Sequence, residues 1–365
     1  MTASIPFFNS ILKYLHINNL IVPLFSHLLI PFIVAIFLAI TMGGSGTGPA
    51  FSAAYGANVL RKSLIPGVFG IMVFLGAILA GKQTASTIGK DLINPEVMTF
   101  SVVSIILFSV AISLLIANLF GIPQSTSQST VLAVFAAGLY FHEVNTRKIF
   151  LEVIPAWLIL PVIAYYLSLF FGRFIYRPMR RRGLTMSRST NVNRKHFING
   201  LILFMSMYVA FSIGANNVAN AAGPIATMTA NELNISGDKN FILIMILATL
   251  MVAPSFAIGS SIFGTKILNN TGKEIVLFGK FEAGIIAFVS ASLLLLASIT
   301  KGIPTSLVQL NVAAILGIGV AKLGTKNIFK KTEVKKFFVM WVVAPVISFS
   351  LCLLLLFFAD NFGFL

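Results

Sequence analysis

The sequence has one cysteine, Cys352, among 365 residues. A lone thiol excludes an internal disulfide and a cysteine-built metal cluster. Acidic residues are scarce as well. Asp and Glu total ten, and all charged residues make up 10% of the chain, well under the roughly 25% of an average soluble domain. The four histidines, His16, His27, His142 and His196, stand apart and show no metal-ligand spacing. The apolar runs contain no Asp pair, no Ser–His pair and no His-Glu-x-x-His, so the sequence argues against an enzyme. It also lacks an ATP-binding loop, so any energy for work must come from an ion gradient. Glycine-rich nucleotide motifs are a poor reading too, because no strand precedes the glycines.

What fills the chain is apolar. Hydrophobic residues make up 57% of it, and the mean hydropathy is +0.95. A soluble fold of this size cannot hide that much apolar surface, so the protein is expected to be a multi-pass protein of the cell membrane. The apolar runs are near 20 residues long, not about 10 with alternation, which excludes an outer-membrane barrel. Ten runs are readable: about 20–42, 63–80, 97–117, 122–141 and 149–172, then 197–213, 241–262, 275–299, 303–321 and 337–358. The expected fold is an all-α polytopic bundle of about 10–12 transmembrane or re-entrant helices. The first run lacks a basic leader and a clear small-residue cleavage site, so it reads as a span, not a signal peptide.

The net charge of +16 would suggest nucleic acid on a soluble chain. Here its placement gives another meaning. Residues 173–196 hold Arg173, Arg177, Arg180, Arg181, Arg182, Arg188, Arg194 and Lys195. If that basic loop is cytoplasmic, the same side also holds Arg61, Lys62, Lys266, Lys273 and the cluster Lys322, Lys326, Lys330, Lys331, Lys335 and Lys336. The outside keeps Lys13, Lys82, Lys90, Arg147, Lys148, Lys239 and Lys301. Both termini then fall outside, and the basic excess sets orientation. No nucleic-acid partner is expected. Five runs precede the loop and five follow it, so the halves, 20–172 and 197–358, enter the membrane from opposite sides.

The halves also share sequence. Gly121 to Gly138 reads GIPQSTSQSTVLAVFAAG, and Gly302 to Gly319 reads GIPTSLVQLNVAAILGIG. Gly-Ile-Pro, Ser125/Ser306 and Gln128/Gln309 fall in register without a gap. A weaker pair is Met42 to Pro49, MGGSGTGP, and Ile213 to Pro224, IGANNVANAAGP. Glycine and proline break membrane helices and leave backbone groups free, which is tolerated only inside protein or beside a wet cavity. Helix N-termini carry partial positive charge and free N–H groups, so they take anions. Paired breaks in inverted halves point to a substrate site between them. Two readings stay open for Gly43–Gly48, close helix packing or a break. Ser125 and Ser306 face the same choice between a ligand and their own helix backbone.

The 214–224 stretch resembles the GANDVANA-type signature of the inorganic phosphate transporter (PiT) family. The two GIPxS stretches resemble that family's second signature. The resemblance implies two inverted repeats, a homodimer, and an anion held near the membrane midplane. The departures all remove titratable groups. Asn217 stands for the family's Asp; Ser45 and Gly46 stand for its Asn-Asp pair; Gln128 and Gln309 stand for its His; Leu107 and Phe288 stand for its Glu. Sulfate only accepts hydrogen bonds, whereas phosphate also donates to carboxylates, so neutral amides favour sulfate. The pattern is most similar to the family's bacterial sulfate-permease branch.

The expected function is secondary active import of a tetrahedral oxyanion, sulfate first, by proton symport. The substrate-binding candidates are Ser45, Thr47, Asn216, Asn217, Asn220, Ser125, Thr126, Gln128, Ser306 and Gln309. No cofactor or metal is expected, since the loss of carboxylates removes hard-oxygen sodium ligands. Glu152 and Glu282 are the acids at or near apolar runs, and Glu282 is weighed as a proton carrier. An inorganic phosphate transporter and an anion channel are the alternatives.

Overall fold

The structure is a computed structural model that describes residues 17–120, 124–181, 192–235, 237–271, 279–325 and 332–365. Lys13, His16, Gly121, Ile122, Pro123, Arg182, Arg188, Lys273, Lys326, Lys330 and Lys331 lie outside the described residues. The chain is helical throughout. In the first half, α1 is Ile17–Gly56, α2 is Ile65–Ala80, α3 is Phe100–Phe120, α4 is Thr126–Phe141 and α5 is Thr146–Arg181. A 3-10 turn, Lys62–Leu64, leads into α2, and Lys82–Ser86 and a π-helical turn, Thr87–Asp91, extend it. The second half has α6 at Val192–Asn217, α7 at Ala219–Glu232, α8 at Asp238–Val252 and α9 at Ser255–Thr271. It ends with α10 at Lys280–Lys301, α11 at Leu307–Leu323 and α12 at Thr332–Asn361.

Among the described residues, eight helical stretches are long and apolar enough to cross a membrane. The protein is therefore a polytopic membrane protein. Helices satisfy every backbone group internally, which hydrocarbon demands. Large apolar side chains such as Leu79, Phe108, Leu158, Phe204, Ile262 and Val342 are exposed along these helices, as contact with lipid requires. Two elements fall short of the ten expected spans. At 1.5 Å per residue, α4 and α11 reach about 24–26 Å against a hydrocarbon core of about 30 Å.

Each short helix is the return arm of a hairpin. On one face the ends of α2 and α4 adjoin, where Asn94 N–H donates to Glu143 O at 3.2 Å. The C-terminus joins them, because Tyr140 OH donates to Asp360 at 2.6 Å. The hairpin α3–α4 thus enters and leaves at this face. For α10–α11 the ends meet at the opposite face, where Lys322 pairs with Glu282 at 3.0 Å. Two hairpins entering from opposite faces make the inverted repeat. Lys62 and Lys266 belong to the Lys322 face, and Lys266 donates to Leu119 O at the tip of the first hairpin.

The halves interlock. A Cβ on Gly43 of α1 would fall against the Phe256 carbonyl of α9, and one on Gly214 of α6 would fall against the Val73 carbonyl of α2. Helix α1 of the first half therefore crosses α9 of the second, and α6 of the second crosses α2 of the first, backbone to backbone, in the close approach that small residues permit. The basic stretch at 173–196 divides the sequence, but the packing crosses that divide.

Of the two readings open for Gly43–Gly48, the structure shows close packing, since α1 runs unbroken through Gly43–Pro49. The glycines serve the α9 crossing instead, and Ser45 and Thr47 hydroxyls bond back to Met42 O at 3.0 Å and Gly43 O at 2.7 Å. The 173–196 stretch is also not all loop. Helix α5 continues to Arg181, and α6 begins at Val192. In the second half a one-residue turn at Val218, itself in right-handed helical conformation, separates α6 from α7. A break at Ala253–Pro254 splits the seventh expected run into α8 and α9.

Candidate anion site between the repeats

The two GIPxS turns meet inside the bundle. Ser125 and Ser306 are extended residues that cap α4 and α11. Ser125 Oγ accepts from Gln128 N–H at 3.3 Å, and Ser306 Oγ accepts from Gln309 N–H at 3.2 Å. Each serine therefore satisfies one orphan donor of the first turn, and the remaining first-turn N–H groups are left for a ligand.

The two N-termini face each other. Gln128 Nε2 donates to Gln309 Oε1 at 3.0 Å, and Gln309 Nε2 returns the bond to Gln128 Oε1 at 3.0 Å. These residues are 181 apart, the same offset as between Gly121 and Gly302. Residues equivalent under the repeat can pair reciprocally only on the pseudo-two-fold axis. The glutamine pair therefore marks the axis, and the positive ends of both helix dipoles converge on it.

Asn216, at the end of α6, ties this centre together. Its Oδ1 accepts from Ser127 Oγ at 3.0 Å and from Thr305 N–H at 3.2 Å. Its Nδ2 donates to Ser298 Oγ at 2.8 Å and to Ile303 O at 3.2 Å. One amide thus joins both hairpins to the α6–α7 turn. Asn220 Nδ2 adds a bond to Ser127 Oγ at 3.3 Å. The carbonyl oxygens Oδ1 of Asn217 and Asn220 are buried and have no partner. Buried acceptors without donors are costly, so they indicate a place for a ligand or water.

The structure brings together Ser125, Gln128, Ser306, Gln309, Asn216 and Asn220. Thr126 lies buried in the first turn of α4, and Asn217 is buried beside Asn216. Ser45 and Thr47 lie on α1, and Thr47 faces α9, where a Cβ on Gly264 would stand 3.0 Å from it. Their hydroxyls bond their own helix. None of the ten candidates is more than 6% exposed, so all of them are buried.

Three contributors escaped the sequence reading. Ser127 stands opposite Val308 in the repeat, so register gave it no weight. Ser298 is one of three serines, with Ser290 and Ser292, in the apolar part of its run. Asn118 ends the third run, and its Nδ2 donates to Thr41 O at 2.7 Å beside the α1 glycines. The one available signal was a polar residue within an apolar stretch.

The acids lie elsewhere. Glu282 is buried, but it is in the first turn of α10 and bound to Lys322 and the Gly279 N–H, away from the axis. A proton role for Glu282, as weighed from the sequence, would act at this face and not at the axis. Glu152 pairs with Lys148 at 2.9 Å near the opposite face. Among the described residues, no group of three or more His, Cys, Asp or Glu could hold a metal ion. The centre therefore offers helix N-termini, hydroxyls and amides, with no named residue carrying negative charge. Such a donor set suits an anion.

The sequence profile of the phosphate transporter family matches residues 42–352. Among curated proteins, the sulfate permease CysP of Bacillus subtilis is 31% identical over 323 residues, covering 88% of this chain and 85% of that one. A putative phosphate permease of Thermococcus kodakarensis is 27% identical over 389 residues, covering 87% of this chain and 94% of that one. Among solved structures, a sodium-dependent phosphate transporter superposes with a TM-score of 0.76 at 21% identity, covering 92% of this chain and 99% of that one.

Proposed function

This chain belongs to the phosphate transporter family, and on that premise we propose that it imports sulfate by secondary active transport. It is a secondary transporter of a tetrahedral oxyanion, not an enzyme. The observation that carries the finer reading is the centre where α4 and α11 meet. Two helix N-termini and a set of neutral amides converge there without a carboxylate. A doubly charged ion with no proton to donate is favoured by donors and repelled by carboxylates.

Transport follows from closure. The glutamine pair holds the two hairpin turns together at a buried centre. An oxyanion reaching the centre takes the donors that the amides give each other. Breaking the pair frees two NH2 groups for the anion and releases one hairpin from the other. Movement of one repeat against the other then exposes the site to alternate faces.

Phosphate is the second reading, and one observation favours it. The unpaired Oδ1 atoms of Asn217 and Asn220 can accept from the hydroxyl of monohydrogen phosphate, which sulfate cannot supply. The same oxygens are neutral hard donors for sodium. Proton coupling is proposed with the sulfate reading, because the centre holds no carboxylate ligand for sodium.

The test is uptake into proteoliposomes. Labelled sulfate should accumulate, and excess thiosulfate or selenate should compete better than phosphate. External acidification should speed uptake. Better competition by phosphate, together with a sodium requirement, overturns the sulfate reading. Failure to accumulate against the gradient would make the protein an anion channel.

A further inference from the structure

An apolar groove of about 220 Å³ opens between α5, α6 and α10. Phe171 and Ile175 of α5, Leu201 and Met205 of α6, and Phe281 and Phe288 of α10 line it. Helix α5 is π-helical over Phe171–Tyr176, and that wider turn sets Phe171 and Ile175 on one side. Gly284 also lines the groove, and a Cβ added there would meet nothing within 4 Å. Pockets that enclose a whole small ligand run to roughly 300–1,000 Å³, so this groove suits a length of chain, not a whole molecule.

The groove is not common to both repeats. The residues 181 positions before Gly284 and Phe288 are Val103 and Leu107, and each is 0% exposed. Phe288 is 45% exposed. Protein covers this stretch in the first half, whereas the second half leaves it open.

The mouth of the groove is positive. Lys280 precedes Phe281, and its Nζ donates to Asn199 Oδ1 at 2.7 Å, which ties α10 to α6 just beyond Phe281 and Leu201. An ammonium has three donors, so this bond fixes the charge and leaves two. Arg177 is exposed, two residues beyond Ile175 on the third wall. Glu282 is bound to Lys322 and the Gly279 N–H, and residues 165–181, 192–209 and 280–292 contain no other acid. This end of the groove belongs to the face that the placement of Lys and Arg assigns to the cytoplasm.

We propose that the groove binds one anionic phospholipid of the cytoplasmic leaflet, with an acyl chain against Gly284 and the headgroup phosphate on Lys280 and Arg177. Apolar walls alone would accept any lipid chain. A fixed ammonium and an arginine at the mouth, with the one nearby acid already engaged, select a negative headgroup. A free oxyanion gains nothing from the apolar walls. The inference goes beyond the transport reading and does not depend on it.

Phosphatidylglycerol or phosphatidylcholine is titrated onto the delipidated protein, and bound lipid is counted by native mass spectrometry. The proteins are wild type, Gly284→Leu, Lys280→Gln and the double variant. Leucine at 284 enters open space and replaces a helix glycine, so the fold should hold, and the unfolding temperature checks it. Two basic groups at about 1 kcal/mol each predict a preference for phosphatidylglycerol of roughly 30-fold in wild type. Lys280→Gln should weaken phosphatidylglycerol about fivefold. Gly284→Leu should abolish the site, and Lys280→Gln should then change nothing further. Equal affinity for the two lipids overturns the proposal, and so does undiminished phosphatidylglycerol binding by Gly284→Leu. An equal loss on Lys280→Gln in both backgrounds places the phosphate away from the groove and overturns it too. A changed oligomeric state of Gly284→Leu in light scattering, with lipid binding intact, makes the groove an interface between copies instead. Should the leucine variant unfold, Lys280→Gln decides alone, because an unchanged lipid preference refutes the site.

Discussion

Replacing Gln128 and Gln309 with leucine, singly and together, measures whether the repeats are joined on their axis. Each single change removes two hydrogen bonds of 3.0 Å and leaves one buried amide without a partner. The double change removes both amides and leaves an apolar contact of similar volume. Removing one partner of a buried pair costs more than removing both. Interhelical hydrogen bonds in membranes couple by about 0.6 kcal/mol on average and about 1.7 at most. Two reciprocal bonds therefore predict a coupling of roughly 1–3 kcal/mol. The double variant should be more stable than the sum of the single losses by that amount. The assay is denaturant-titrated unfolding in detergent for the four proteins. Additivity within about 0.3 kcal/mol would refute the paired geometry. Both single variants should also lose oxyanion uptake, because each removes a donor from the centre.

Asn216→Ala removes four bonds and leaves Thr305 N–H without its partner, so it should cost about 2–4 kcal/mol and abolish uptake; wild-type unfolding would remove Asn216 from the hub. Asn217→Asp should weaken sulfate uptake and raise competition by phosphate, and unchanged competition would place Asn217 outside the site. Gly302 has φ of +61°, and a Cβ there would stand 2.5 Å from Gln83 O, so Gly302→Ala should lower stability by about 1–3 kcal/mol. Glu282→Gln should lower stability by about 1–2 kcal/mol, since its partner Lys322 is partly exposed, and leave the pH dependence of uptake unchanged. An altered pH profile would return Glu282 to the proton pathway.

The candidate site was legible where residues recur. Ser125 with Ser306 and Gln128 with Gln309 stand in register, and the structure puts all four at the meeting of two hairpins. Ser45 and Thr47 were drawn in by a motif whose partner is polar, yet they bond their own helix. The difference is in the neighbours. At Gly43 the α9 backbone comes close enough that only glycine fits, and that contact keeps the helix whole. At Asn216 the α10–α11 turn offers free backbone groups, and the amide takes them. Nothing in a run of small residues distinguishes these outcomes.

Hydropathy by itself made this a membrane protein, because water cannot accommodate that much apolar surface. The placement of Lys and Arg gave the orientation, and the 181-residue register gave two inverted halves. The missing acids pointed to an anion. Only the tertiary structure decided which polar groups share one point in space. The reciprocal glutamine pair exists because the two short helices start inside the bundle and face one another. The Asn216 hub exists because Ser127 of α4 and the α10–α11 turn meet the end of α6. Local sequence permits the Gly-Ile-Pro turns inside the bundle. Packing against the other repeat decides whether the freed backbone groups find partners.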